Sequence, residues 1–173
     1  EGEATFTDFL DASGPEEWPD VAGLAFVRDG ELVQTAERPR FRDLNLLPSP
    51  LNVISLLDSD GKPYDCIAYE TSRGCPYKCA FCECGTGAIG TKMLSFSVDR
   101  IRHDWNVIVD AGIKNIWLTD SNFGALKEDV DKARVLCEIK QRTGMPSTFA
   151  TSWSKKHGSR SQEIVLLLHE NNL

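Results

Sequence analysis

The period of the apolar positions changes along the chain, and each change marks an element. Near the start, Phe6, Phe9 and Leu10 share one face of a short helix. A lone helix of that length is marginal in water, so the spacing predicts one that packs on another body. After Trp18 and Pro19 the residues from Gly23 to Arg28 and from Glu31 to Thr35 flank Asp29 and Gly30. Asp-Gly supplies the positive φ angles of a two-residue turn, which predicts a β-hairpin. Residues 38–52 carry Pro39, Pro48 and Pro50 with no helical period and read as an extended linker.

From residue 65 onward strands and helices alternate. The runs Cys66 to Thr71, Asn115 to Thr119 and Ser147 to Ser152 are short, apolar and β-prone. Between the first two, Val98, Ile101, Trp105, Ile108 and Val109 form a helical stripe with Ser97 as its N-cap and Gly112 as its stop. A second stripe runs through Leu126, Val130, Ala133, Leu136 or Cys137, and Lys140, and ends at Gly144 and Pro146. A third begins near Ser161 and carries Ile164, Leu167 and Leu168. Repetition of this kind predicts an α/β fold with parallel strands and right-handed crossovers.

The second and third strands start about 33 positions apart, but the first precedes the second by nearly 50, and an ordinary βα interval is about 30 residues. The surplus lies between Thr71 and Leu94, where four of the six cysteines stand: Cys75, Cys79, Cys82 and Cys84. Reactive groups in parallel α/β layouts collect at the C-terminal ends of strands. Glu70 and the cysteine loop follow the first strand there; Asp120, Ser121 and Asn122 follow the second; Ser152, Trp153 and Lys155 follow the third. Three loops are thus expected to share one rim.

Composition narrows the reading. Charged residues make up 26% of the chain and hydrophobic ones 41%, and no apolar run approaches the roughly 18 residues of a membrane span. A net charge of −7 argues against a large nucleic-acid footprint, which clustered Lys and Arg supply. The chain opens on Glu1 and closes on Leu173 directly after a helical run, and is read as a segment of a longer protein. A disulfide framework would spread its cysteines; crowding them points to metal ligation in a reducing compartment, the cytoplasm.

Thiolates on one tight loop suit zinc or an iron–sulfur cluster. Structural zinc usually takes two separated knuckles, whereas Cys66 lies in a strand, Cys137 on a helix, and His103 has no partner at metal spacing. Ligands two apart, as Cys82 and Cys84 are, also strain a tetrahedral set. Cys75-x3-Cys79-x2-Cys82 fits a four-iron cluster better, with three thiolates leaving one iron open to a reactant. Gly74 permits a backbone conformation closed to other residues and a close approach to the cluster. Pro76 stiffens the first turn, and Arg73 and Lys78 would offset cluster charge.

The loop from Cys75 to Cys82, with the aromatic Phe81 before its last cysteine, resembles the cluster loop of the radical S-adenosylmethionine (SAM) superfamily. The phrase from Thr71 to Cys82 resembles the cobalamin (B12)-binding branch in particular. Residues 1–6, the hairpin and the segment Asp43 to Pro50 are similar to what precedes the loop in that branch. The resemblance implies a partial (β/α) barrel, truncated here after about three βα units. Its domains would be the C-terminal tail of a cobalamin-binding α/β domain (1–13), a hairpin and linker (14–64), and the N-terminal part of the barrel (65–173).

As function, the resemblance implies a [4Fe-4S] cluster held by Cys75, Cys79 and Cys82, whose open iron chelates SAM. One electron then cleaves SAM to methionine and a 5'-deoxyadenosyl radical, and methylcobalamin commonly delivers a methyl group to the substrate radical. The implied reaction is methyl transfer to an unactivated carbon or phosphorus centre, with a flavodoxin or ferredoxin as electron donor. Another radical SAM reaction, or a non-catalytic iron–sulfur or zinc module, are the alternatives. Phe81 carries over as the residue bordering the adenine. The family's Gly-Gly-Glu stretch after the second strand is absent; Thr119 to Phe123 stand in its place, which offers Asp120, and then Asn122, as SAM contacts. No Asp-x-His-x-x-Gly cobalamin motif occurs, so any B12 site would lie largely outside this segment.

Each residue also has a plainer reading. Asp120 is equally a helix cap. Trp105 and Trp117 are expected in the core, Cys66 and Cys137 as small buried apolar residues, and Trp153 either packs or faces substrate. His157 and His169 show no partners, Glu70 pairs with Arg73 or points inward, and Cys84 is a bystander to the cluster.

Overall fold

A computed structural model describes residues 2–83, 91–156 and 158–173; Cys84 and His157 lie outside the described residues. The chain folds as two units, Glu1–Arg42 and Asp43–Leu173.

The first unit joins helix α1 (Gly2–Asp11) to a hairpin of β1 (Ala25–Arg28) and β2 (Glu31–Gln34). The strands pair antiparallel, with Arg28 opposite Glu31. Asp29 and Gly30 have φ of 53° and 82°, the turn that the Asp-Gly pair predicts. Only part of the α1 stripe is used: Phe9 packs on Trp18 at 5.4 Å and Trp18 on Phe26 at 5.5 Å, while Phe6 and Leu10 are exposed. Arg38 ties the pieces by donating to Thr5 Oγ1, Ala22 O and Asp8.

The second unit runs β3 (Cys66–Tyr69), β4 (Ser72–Arg73), β5 (Leu94–Ser95), α2 (Val98–Asp110), β6 (Asn115–Leu118), α3 (Glu128–Thr143), β7 (Thr148–Ala150) and α4 (Ser159–Glu170). A three-stranded sheet orders them β3-β6-β7, and both pairings are parallel. The three predicted strands are therefore present, each shorter than its apolar run, and α4 starts two residues before Ser161. Ser97 accepts the Arg100 N–H as N-cap of α2, and Gly144 ends α3 in the left-handed conformation with φ 75°.

Alternation along the strands decides where the core lies. Ile116 and Leu118 of β6 and Tyr69 of β3 are buried with Ile101, Trp105, Ile108, Leu136 and Ile164 of the helices. The opposite face, with Cys66, Ala68, Trp117, Thr148 and Ala150, is exposed. Two expectations fail on this point. Trp117 is not core but 54% exposed, and Cys66 is exposed rather than buried. Both sit at odd positions of strands whose even positions meet the helices. Trp105 and Cys137 are buried as expected.

The segment read as a linker packs closely on the helices. Leu44 is fully buried, and Asp104 of α2 gathers three donors: Ser49 Oγ at 3.0 Å, Tyr69 Oη at 2.7 Å and Arg100 Nε at 2.9 Å. Arg100 also donates to Leu47 O. Burial, reinforced by the hydrogen bond to Asp104, pushes the Tyr69 phenol well above its ordinary pKa. Proline spacing alone carried no sign of these anchors, because each depends on partners some 50 residues away.

Candidate functional site

The cysteine loop leaves the sheet at the C-terminal end of β3 and returns through a two-residue antiparallel pair, Ser72 with Ser95 and Arg73 with Leu94. This pair was not foreseen, since two residues leave no periodic signal. It closes the base of the loop. Immediately beyond it Gly74 has φ 108°, and a Cβ there would stand 2.6 Å from the Lys92 carbonyl oxygen. The close approach that requires glycine is thus to the returning backbone of the loop. Gly74→Ala is expected to cost about 1–3 kcal/mol through forced positive φ, with the carbonyl collision added. Urea denaturation of the variant checks it, and an unchanged midpoint would refute it.

Along the loop, Cys75 is buried and Cys79 and Cys82 are partly exposed, all three free of disulfides. The Cys82 N–H donates to Cys79 O at 3.1 Å, which folds the middle of the loop into a turn. Among the described residues no three Cys, His, Asp or Glu side chains converge as a metal site. The donor set itself is three thiols on one loop, none of them in a disulfide. By ligand type it fits an iron–sulfur cluster.

Behind the loop lies a buried polar network that the sequence did not reveal. Asp120, 1% exposed, accepts the Thr71 N–H at 2.6 Å and the hydroxyls of Thr71 and Ser72. The Thr71 hydroxyl in turn accepts from Lys132 Nζ at 3.1 Å, and Lys132 pairs with Asp129 at 2.7 Å. Asp129 Oδ2 caps the turn before α3 by accepting from the N–H groups of Gly124 and Leu126. A signal was available: Lys132 stands three residues after Asp129 and four before Leu136, on the apolar stripe.

The other predicted residues separate. Asn122 is buried, and its Nδ2 has no hydrogen-bond partner among the described residues. Phe81 is 89% exposed, its ring 5.3 Å from the Lys155 ammonium. Lys155 also donates to Cys79 Sγ at 2.8 Å, a contact that raises the lysine's pKa. Tyr77 and buried Ser154 share a hydrogen bond at 2.9 Å, and the Lys156 N–H donates to Tyr77 Oη. Trp153 packs at 5.9 Å on Phe123, and the backbone links Phe123 to Ser152 and Ser154. Glu70 and Arg73 form an ion pair at 2.7 Å. The three rim loops are thus fastened to one another.

Fold and site together define an α/β protein with a three-thiol loop at the C-terminal end of the first strand of a parallel sheet. No protein-family model matches the chain. It is 27% identical to the cobalamin-dependent radical SAM methyltransferase TokK of Streptomyces tokunonensis, over 100% of this chain and 26% of TokK. It is 31% identical to 2-(S-pantetheinyl)-carbapenam-3-carboxylate methyltransferase of Streptantibioticus cattleyicolor, over 61% of this chain and 15% of that protein. The chain therefore spans about a quarter or less of these relatives' length. Its fold is similar to that of the radical SAM methyltransferase TsrM of Kitasatospora setae, solved with tryptophan and a SAM analogue. The TM-score is 0.66 at 14% identity, over 98% of this chain and 34% of TsrM. In sequence the chain is thus similar to cobalamin-dependent radical SAM methyltransferases, and in fold to TsrM.

Proposed function

We propose that this chain is the cluster-bearing part of a cobalamin-dependent radical SAM methyltransferase that acts on an unactivated carbon or phosphorus centre. The observation that carries this reading is the three-thiol loop, free of disulfides, rooted on buried Asp120 at the C-terminal end of β3. In this reading residues 1–13 are the tail of a cobalamin-binding domain, 14–64 a hairpin and linker, and 65–173 the first three βα units of a partial barrel. The protein works in the cytoplasm with a flavodoxin or ferredoxin as electron donor.

Cys75, Cys79 and Cys82 would hold a [4Fe-4S] cluster. When bound, the cluster supplies the electron that cleaves SAM, and cobalamin supplies the methyl group. The chain's own residues orient and shield. Phe81 presents an exposed aromatic face for the adenine. Asp120 has its oxygens occupied by Thr71 and Ser72, so its work toward SAM is to position the loop. Asn122 Nδ2 is a buried donor without a partner among the described residues, a group that an oxygen of SAM would satisfy.

Anaerobic reconstitution of the natural full-length protein tests the reading. It is expected to take up about four iron and four sulfide, to bind B12, and to release 5'-deoxyadenosine from SAM under reductant. Zinc as the sole metal would overturn it.

A further inference from the structure

Lys155 is a side chain outside the cysteine loop that reaches one of its sulfurs, and its placement is built rather than casual. Its ammonium lies 2.8 Å from Cys79 Sγ, 5.3 Å from the centre of the Phe81 ring and 5.9 Å from that of Tyr77. On one side of it Ser154, 1% exposed, is hydrogen-bonded to Tyr77 Oη, and on the other the Lys156 N–H donates to the same oxygen. Ser154 is itself held by its N–H to Phe123 O at 2.9 Å. Both neighbours of Lys155 are therefore fastened to Tyr77, two positions before Cys79. The rim loop after β7 carries the lysine to the sulfur from 76 residues away in sequence.

We propose that Lys155 is a positioning residue that sets the reduction potential of the cluster held by Cys75, Cys79 and Cys82. This inference rests on the cluster reading above. A hydrogen bond and a positive charge at a ligating sulfur stabilise the more negative, reduced state of a cluster and raise its potential. The need is local. The chain has a formal charge of −7, three thiolates add more negative charge, and Arg73 at the root of the loop is ion-paired with Glu70. Two aromatic faces attract the ammonium and hold it at the sulfur. The contact is exposed to solvent, so its effect is expected to weaken as salt rises.

The test compares full-length parent protein with Lys155→Met and Lys155→Arg, each anaerobically reconstituted, assayed for iron, and titrated with dithionite and redox mediators while the reduced cluster is followed by electron paramagnetic resonance. Lys155→Met is expected to keep its iron but shift to a lower midpoint potential. A tenfold fall in the equilibrium constant for reduction corresponds to about 59 mV for a one-electron couple. Lys155→Arg, which keeps the charge and the donor, is expected to stay near the parent. Equal midpoints in parent and Lys155→Met, with full iron in both, would overturn the proposal and leave the cluster reading intact. Loss of iron in Lys155→Met with retention in Lys155→Arg would also overturn it, by making the side chain necessary for assembly instead of potential. Absence of any cluster in the parent would remove the reading and the proposal together.

Discussion

Changing Cys82 to alanine is expected to abolish iron uptake by the reconstituted protein, and turnover with it, while Cys84→Ala leaves the iron content near that of the parent. The argument turns on ligand count. A four-iron cluster has four outer positions; the proposed function assigns three to Cys75, Cys79 and Cys82 and needs the fourth for SAM. Removing one of three leaves two protein ligands, too few to hold the cluster against loss to solvent. Cys82 is tied to Cys79 through the hydrogen bond from its N–H to Cys79 O, so alanine preserves the turn and removes only the sulfur. Cys84 stands two positions later, an interval that aims neighbouring thiols poorly at one cube. Iron and sulfide assays on both variants decide the matter. Retention of iron by Cys82→Ala would refute the ligand assignment, and a loss of iron in Cys84→Ala would mean that the open position is closed by protein.

Lys132→Met is expected to destabilise the protein by about 3–5 kcal/mol, the usual result of removing one partner from a buried ion pair. Lys132 and Asp129 have side chains 0% and 1% exposed, and Asp120 is buried on the far side of the Thr71 hydroxyl. Methionine fills similar volume but leaves two buried carboxylates with no cation between them. The effect should reach the cysteine loop, because Thr71 and Ser72 form its root. Equilibrium urea denaturation of the full protein measures the loss. Adding Asp129→Asn, which retains an acceptor for the Gly124 and Leu126 N–H groups, is expected to recover part of it by removing one uncompensated charge. A single variant within 1 kcal/mol of the parent would show that the pair contributes little net stability, as buried pairs sometimes do.

Much of the fold was legible because it follows from local rules. The alternation of β-prone runs with helical stripes announces parallel βα units, and the observed order β3-β6-β7 is the sequential one. Ser97 and Gly144 cap the helices where their chemistry places them. The Asp-Gly turn and the need for glycine at 74 are legible for the same reason: φ preference belongs to the residue. Trp117 went wrong because an aromatic in a strand has two possible faces. Only the position of the helices tells which face is covered.

The site divides along the same line. That three thiols share one loop at the end of the first strand is written in the spacing of Cys75, Cys79 and Cys82, and no folding is needed to see it. What roots and dresses that loop was decided in three dimensions. Asp120 and Lys132 meet Thr71 across 49 and 61 residues, and Lys155 meets Cys79 across 76. Each of these contacts joins elements that are brought together by the parallel sheet and its helices. Intervals along a chain encode ligand sets and caps, because those depend on neighbours a few positions away. The surroundings of a site depend on which distant side chains the packed core delivers, and that only the tertiary structure settles.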